Sequence, residues 1–181
     1  MTIKQKKINI FKALAVKLHN QSLIFFRRAF NLKPEKTSRA MIRAFLAGRG
    51  MPLDKVWFAD HDYYYVTIEE MKDIILHDWV DKKKYLSEKF DCDDFALVFK
   101  AHLAERFNIN AVGLARSVKI NDLKTGKPKG FHRANIFFAD DNGVIKLYFL
   151  EPQTDKVVQI WGYNELIKLT GWTNQLNVFD F

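Results

Sequence analysis

After Asp91 the chain places Phe95, Phe99, Leu103 and Phe107 at every fourth residue, with Ala96 and Leu97 beside the first of them. A stripe at that spacing belongs to an α-helix with one buried face, and it begins at or beside Cys92. Beyond Asn110 the character changes. Residues 111–120, 131–139, 144–150 and 156–160 are rich in strand formers, and Thr125-Gly126, Asp141-Asn142-Gly143 and Pro152 stand between them as turn signals. Turns this short join antiparallel neighbours, so the pattern predicts one helix packed on an antiparallel sheet, an α+β arrangement.

Upstream, Ile10, Phe11, Leu14, Leu18, Phe25 and Phe26 alternate with Lys12, Lys17, Arg27 and Arg28, which predicts one or two amphipathic helices over residues 8–30. Residues 31–35, with Pro34 inside, read as a linker. Thr37 or Ser38 can cap a second helix that ends at Gly48 or Gly50, and Pro52 forbids its continuation. Residues 62–66 read as a strand, and Thr67 with Glu70 three residues on forms a capping box for a helix reaching about Trp79. A helical turn near residues 163–169 and an aromatic tail complete the 181 residues, enough for one domain of ordinary size plus an extension.

Charge divides the chain at Gly50. Residues 1–50 carry 12 Lys and Arg against the single acid Glu35, a balance of +11, while the remainder carries −3. We therefore separate a basic helical N-terminal extension, residues 1–50, from a domain over 51–181. Nucleic acid, a membrane surface and an acidic protein all reward clustered cations, and charge alone does not rank them. No run of about 18 uncharged apolar residues occurs, so no transmembrane segment is expected. The single cysteine, Cys92, excludes an intramolecular disulfide and a zinc cage built of several cysteines. It fits a reducing compartment, which points to the cytoplasm.

Cys92 at the start of the central helix, His132 on one strand and Glu151 at the end of the next stand where a catalytic set would stand. A thiol is a useful nucleophile only as thiolate, and the unpaired amides of a first helical turn favour that form. A histidine within hydrogen-bond reach can take the proton, and a third group can orient the imidazole. The competing reading makes Cys92 a small core residue, because Asp91, Asp93 and Asp94 flank it and would disfavour the thiolate. Asn135 either faces the same site or bonds within the sheet. His61 reads as part of a polar turn rather than as a metal ligand, His19, His77 and His102 as surface or packed residues without partners, and Trp57, Trp79, Trp161 and Trp172 as core anchors, with a substrate-groove wall the alternative for one of them.

The segment Phe90-Asp-Cys-Asp-Asp-Phe-Ala96, the strand bearing His132 and the corner Leu150-Glu-Pro-Gln-Thr154 resemble the papain-like and transglutaminase-like cysteine hydrolases. Among these they are most similar to the bacterial transglutaminase-like cysteine peptidases and to the peptidase domain at the C-terminal end of certain fungal agglutinins. The resemblance covers residues 85–158 and implies a papain- or transglutaminase-type fold. It also implies a Cys92-His132-Glu151 triad for hydrolysis or acyl transfer at amide bonds of a protein or peptide substrate, with Asn135, Gln153 and Asp91 in support. Some members hold calcium beside the acids after the nucleophile, which makes Asp93 and Asp94 possible ligands; no other cofactor is implied. Relatives often show Gly-His-Ala where this chain has Phe131-His-Arg-Ala134. The alternative is a non-catalytic binding or structural protein, of phage or mobile-element type, that keeps the fold and uses its basic end for binding.

Overall fold

The computed structural model describes residues 3–121, 128–164 and 178–181. A long helix α1 (Ile3–Phe30) comes first and ends where Asn31 adopts φ +46 and its amide reaches back to the Arg27 carbonyl at 3.1 Å. Asn is among the few side chains that tolerate this left-handed geometry, so it stops the helix cleanly. Strand β1 (Glu35–Ser38) and helix α2 (Arg39–Ala47) follow, and the Ser38 hydroxyl accepts from the Met41 amide as N-cap. Next come β2 (Val56–Trp57), β3 (Asp62–Thr67) and α3 (Ile68–His77), whose Thr67–Glu70 capping box forms as the sequence suggests. Helix α4 (Cys92–His102) runs into a π-helical turn, Leu103–Phe107, closed by Asn108 at φ +58. The remaining strands are β4 (Val112–Asn121), β5 (Pro128–Asp140), β6 (Ile145–Glu151), β7 (Lys156–Ile160) and β8 (Val178–Asp180).

The sheet is mixed, and this corrects the expectation of an antiparallel one. Strands β4, β5, β6 and β7 pair antiparallel as short turns require. Two parallel contacts join β2 to β8 and β3 to β5. Each parallel contact spans two residue pairs, too short to leave a period-2 signal in the sequence. The β5–β6 connection is the expected Asp141-Asn142-Gly143 turn, with Asn142 at φ +57 and Gly143 at φ +80. Positive φ at both central positions matches the right-handed twist of the flanking strands. The turn expected at Thr125-Gly126, most of the helical turn expected at 163–169 and Trp172 lie outside the described residues.

Both faces of the sheet are buried. Ala134, Ile136 and Phe138 of β5, with Leu147 and Phe149 of β6, point to a core shared with Ile42 and Leu46 of α2 and with Phe181. Phe137, Ala139, Tyr148 and Leu150 alternate to the other face, where Met71, Ile74 and Ile75 of α3 meet Phe95, Phe99, Leu103 and Phe107. The fourfold stripe after Asp91 is thus the inner face of α4 and of the π-helical turn that continues it. A buried polar knot fastens its far end: Asp78 Oδ2 accepts from His102 Nδ1 at 2.7 Å and from Arg106 Nη1 at 3.0 Å. His102 is therefore no partnerless histidine, and His19 and His77 also bond, to Glu105 Oε1 and to the Asp73 carbonyl. Trp57 and Trp161 are 62% and 66% exposed, so neither is a core anchor.

Candidate functional site

The first turn of α4 is organised by its own acids. Asp91 caps the helix, its carboxylate accepting from the Asp93 amide at 3.3 Å, and Asp94 Oδ2 accepts from the Asp91 amide at 3.1 Å. This reciprocal box satisfies amides that a helix start leaves without partners. It also fixes Cys92 as the first helical residue, half-buried.

The sheet brings the other two residues to that thiol. His132 lies on β5 and Glu151 on the last position of β6, just beyond the Asn135–Leu150 pair where the two strands part. His132 Nε2 bonds Glu151 Oε2, and the imidazole also hydrogen-bonds Cys92. Both side chains of the His132–Glu151 pair are 18% exposed. Burial by itself would lower the imidazole, but the hydrogen bonds to Cys92 and Glu151 and the negative charge of both outweigh it and push His132 up to about 9. The imidazolium is thus the form the site favours at neutral pH.

The supporting residues divide. The backbone amide of Gln153 donates to Glu151 Oε1 at 3.4 Å, so Gln153 steadies the carboxylate through its main chain. Asn135 is fully buried and turns to α4, its Nδ2 donating to the Ala96 carbonyl at 3.0 Å and facing the Gly113 carbonyl at 3.5 Å. It ties the helix to the sheet and makes no described bond to His132. Its Oδ1 finds no partner among the described residues.

Sequence reasoning met Arg133 only as a departure from the relatives' motif and missed its pairing. Its Nη1 donates to Asp93 Oδ2 at 2.9 Å and so bridges β5 to the helix start. A cation next to the candidate histidine and three acids next to the candidate thiol were the available signal, since opposite charges on facing elements pair. Asp93 shares a hydrogen bond with Asp91, which with burial pushes Asp93 up against the pull of Arg133, while Asp91 is held down by the same bond. For Tyr85, burial and the nearby negative charge of Asp91 and Cys92 push the phenol up.

Asp91, Cys92 and Asp93 place one ligand atom each within 4.8 Å of one another. Asp94, which the sequence offers as a possible calcium ligand or as a helix-start residue bonding exposed amides, takes the second role and gives its carboxylate to the helix cap. Calcium takes about six to eight oxygen ligands. Two carboxylates and a sulfur, with the Arg133 guanidinium already on one of the oxygens, do not fit it as they stand.

Residues 47–169 match the family model described as the ricin-type beta-trefoil lectin C-terminal domain, about two thirds of the chain. This chain belongs to that family. Among solved structures it is similar to one described as the PSL1a-E64 complex, at 24% identity and a TM-score of 0.56, covering 81% of this chain and 51% of that one. It is also similar to Polyporus squamosus lectin bound to the human-type influenza-binding epitope Neu5Aca2-6Galb1-4GlcNAc, at 24% identity and a TM-score of 0.51, covering 68% of this chain and 45% of that one. The chain thus spans about half the length of these structures, and at this identity they speak to fold alone. No curated protein matches it.

These matches correct the sequence reading. The family is that of lectin C-terminal domains and the fold neighbours include a lectin, so the assignment to papain-like and transglutaminase-like cysteine hydrolases is overturned, and with it the papain- or transglutaminase-type fold class. The cysteine peptidase or acyltransferase function rested on that assignment and falls with it; the alternative of non-catalytic binding fits the matches better. Nor is a protein or peptide substrate supported. Among the described residues no helix is long and apolar enough to cross a membrane.

Proposed function

We propose that this chain is a non-catalytic, lectin-type binding protein that acts at glycan-bearing surfaces. The observation that carries the reading is the lectin-family match over residues 47–169. Trp57 and Trp161 suit such a role, because each exposes a flat apolar face with an N–H donor at its rim, the combination that a sugar ring with one apolar face and a fringe of hydroxyls can use. The glycan seen on the Polyporus lectin is the first ligand to try. Retention of the full chain on immobilised Neu5Aca2-6Galb1-4GlcNAc, reversed by free glycan and lost in Trp57→Ala or Trp161→Ala, would support the reading. Failure to be retained on this or any other arrayed glycan would set it aside. Within this protein the basic residues 1–50 hold an anionic partner through α1, while β1 and α2 of that stretch pack into the lectin-type domain of residues 51–181.

One specific observation favours a second property of the same protein. The hydrogen-bonded run from Cys92 through His132 to Glu151 supports a reactive-thiol site in which His132 holds the thiol proton, Glu151 orients the imidazole and Asp91 fixes the helix start. Iodoacetamide tests it: the thiolate sulfur displaces iodide, and the rate reads how readily the thiolate forms. His132→Ala should slow alkylation of Cys92 and change its pH profile, and Cys92→Ser should take up no label at this position. Alkylation of Cys92 at the same rate in wild type and His132→Ala would rule the site out.

A further inference from the structure

Helix α1 is amphipathic with its apolar stripe turned the wrong way for a helix that merely completes a core. Residues 19, 26, 27 and 30 meet the body. His19 bonds Glu105 at 2.8 Å, Arg27 bonds the Arg106 and Glu105 carbonyls and Asn108 Oδ1 at 3.0 Å each, and Phe26 and Phe30 stack edge-on against Phe107. At 100° per residue, positions 10, 11, 14, 18 and 25 fall on a stripe turned away from that contact face, while the exposed Ile8, Val16 and Ile24 lie outside it. Ile10, Phe11 and Phe25 are 66%, 68% and 69% exposed, and Leu14 and Leu18 are at least half exposed. Lys17 and Arg28 are exposed and flank this stripe, Lys12 is exposed on the side of the contact face, and the 28 residues hold seven Lys and Arg and no acid.

We propose that this outer face of α1 docks on an anionic lipid surface, lying in its plane with the apolar stripe in the headgroup boundary and the cations among the phosphates. The inference rests on the reading that the basic end holds an anionic partner, and it names that partner. A duplex nucleic acid would match the charge but leave the large apolar side chains in water. A second copy of the helix would cover them but set seven cations against seven with no acid to offset them. A bilayer rich in anionic headgroups meets both demands, and a helix of about 42 Å lying flat is long enough to use them. It does not span, for it is too polar.

The test is co-sedimentation of the full chain with vesicles of phosphatidylcholine alone and of phosphatidylcholine with phosphatidylserine, at about 0.1 M and about 1 M salt, where the screening length falls from about 10 to about 3 Å. Binding is expected to the anionic vesicles at the lower salt only. Leu14→Asp with Phe25→Asp, and separately Lys17→Glu with Arg28→Glu, should each weaken it by at least about tenfold with an unmoved melting temperature, because each substituted side chain is solvent-exposed. Equal binding to neutral vesicles, or full binding by the Leu14→Asp/Phe25→Asp variant, overturns the inference. So does a dimer that this variant dissolves without vesicles playing any part. Binding to duplex DNA but not to vesicles overturns it while leaving an anionic partner standing, whereas no association with either polyanion defeats both.

Discussion

Helices α1 and α4 carry similar sequence patterns, an apolar stripe at helical spacing with charged residues between, and the molecule uses them oppositely. In α4 the stripe Phe95, Phe99, Leu103 and Phe107 is buried against the sheet. The first turn is closed by an aspartate box, and the Asp78–His102–Arg106 knot fastens the far end. In α1 the stripe faces water, and the body is gripped by His19, Arg27 and two phenylalanines from other positions. Periodicity alone therefore says that a helix has an apolar face and leaves open what that face meets. The charge lying beside it separates the cases: α4 has acids at its start and bases at its end, as a helix dipole prefers, whereas α1 has bases throughout.

The sharpest way to break the comparison is to truncate the same residue type in each helix. Phe99→Ala should cost about 3–5 kcal/mol of folding stability, since the ring is 1% exposed and leaves a cavity. Phe25→Ala should stay within about 0.5 kcal/mol, as exposed positions do. Asp78→Ala belongs with the first group: it strands Arg106 in a buried site, and breaking such a pair costs about 3–5 kcal/mol. Urea titration of the three variants measures all of this, and equal losses for Phe99 and Phe25 would erase the distinction.

A smaller effect is expected at the helix start, read by pH. The folded-state pKa of His132 is raised, so the stability it contributes is complete below about 6.5, the ordinary value of the ring, and is lost as pH rises through about 9. Glu151→Gln removes part of what holds the imidazolium, and the variant's stability should fall less over that interval than the wild type's. Identical stability-versus-pH curves for the two proteins would show that the pair contributes nothing.

The smallest effect concerns Asp155 in the β6–β7 turn, where burial and the negative charge of Asp81 push the carboxyl up to about 6 against the pull of Lys82. A carboxyl whose folded value is raised resists ionisation in the fold, so it weakens the protein as pH rises from about 4 through about 6. Asp155→Asn should therefore raise the melting temperature at pH 7 and leave it unchanged near pH 3.5, and asparagine accepts the φ of +56 at this position. A lower melting temperature at pH 7 would contradict the assignment.

Much of the local structure was legible in the sequence. The stripe after Asp91, the Thr67 capping box, the Asp141-Asn142-Gly143 turn and the four long strands all follow from period, cap chemistry or turn chemistry. Strands β2 and β8 did not, because two or three residues carry no alternation, and they supply one of the parallel contacts that make the sheet mixed. Strand β1 leaves no signal either: the linker pattern of residues 31–35 reaches its first residue and the helix-cap pattern at Thr37 or Ser38 its last two, yet it pairs with β3, because a proline before a strand removes no ladder bond. Cys92, His132 and Glu151 could be picked out as a group from their positions on helix and strands, yet what they are for was taken from a family resemblance, and the family proved to be that of lectin C-terminal domains. Arg133 entered the sequence reading only as a departure beside His132, because its pairing with Asp93, 40 residues away, leaves no local signal.

Hydrogen–deuterium exchange on the full chain, alone and with phosphatidylserine-containing vesicles, tests most directly the claim that two similar stripes serve opposite ends. The account predicts slow exchange for the amides of α4 in both samples. It predicts rapid exchange for residues 8–25 of α1 in the chain alone, slowed when vesicles are added, since fraying is suppressed once the apolar stripe is covered. Residues 8–25 already protected without vesicles, or equally unprotected with them, would contradict it.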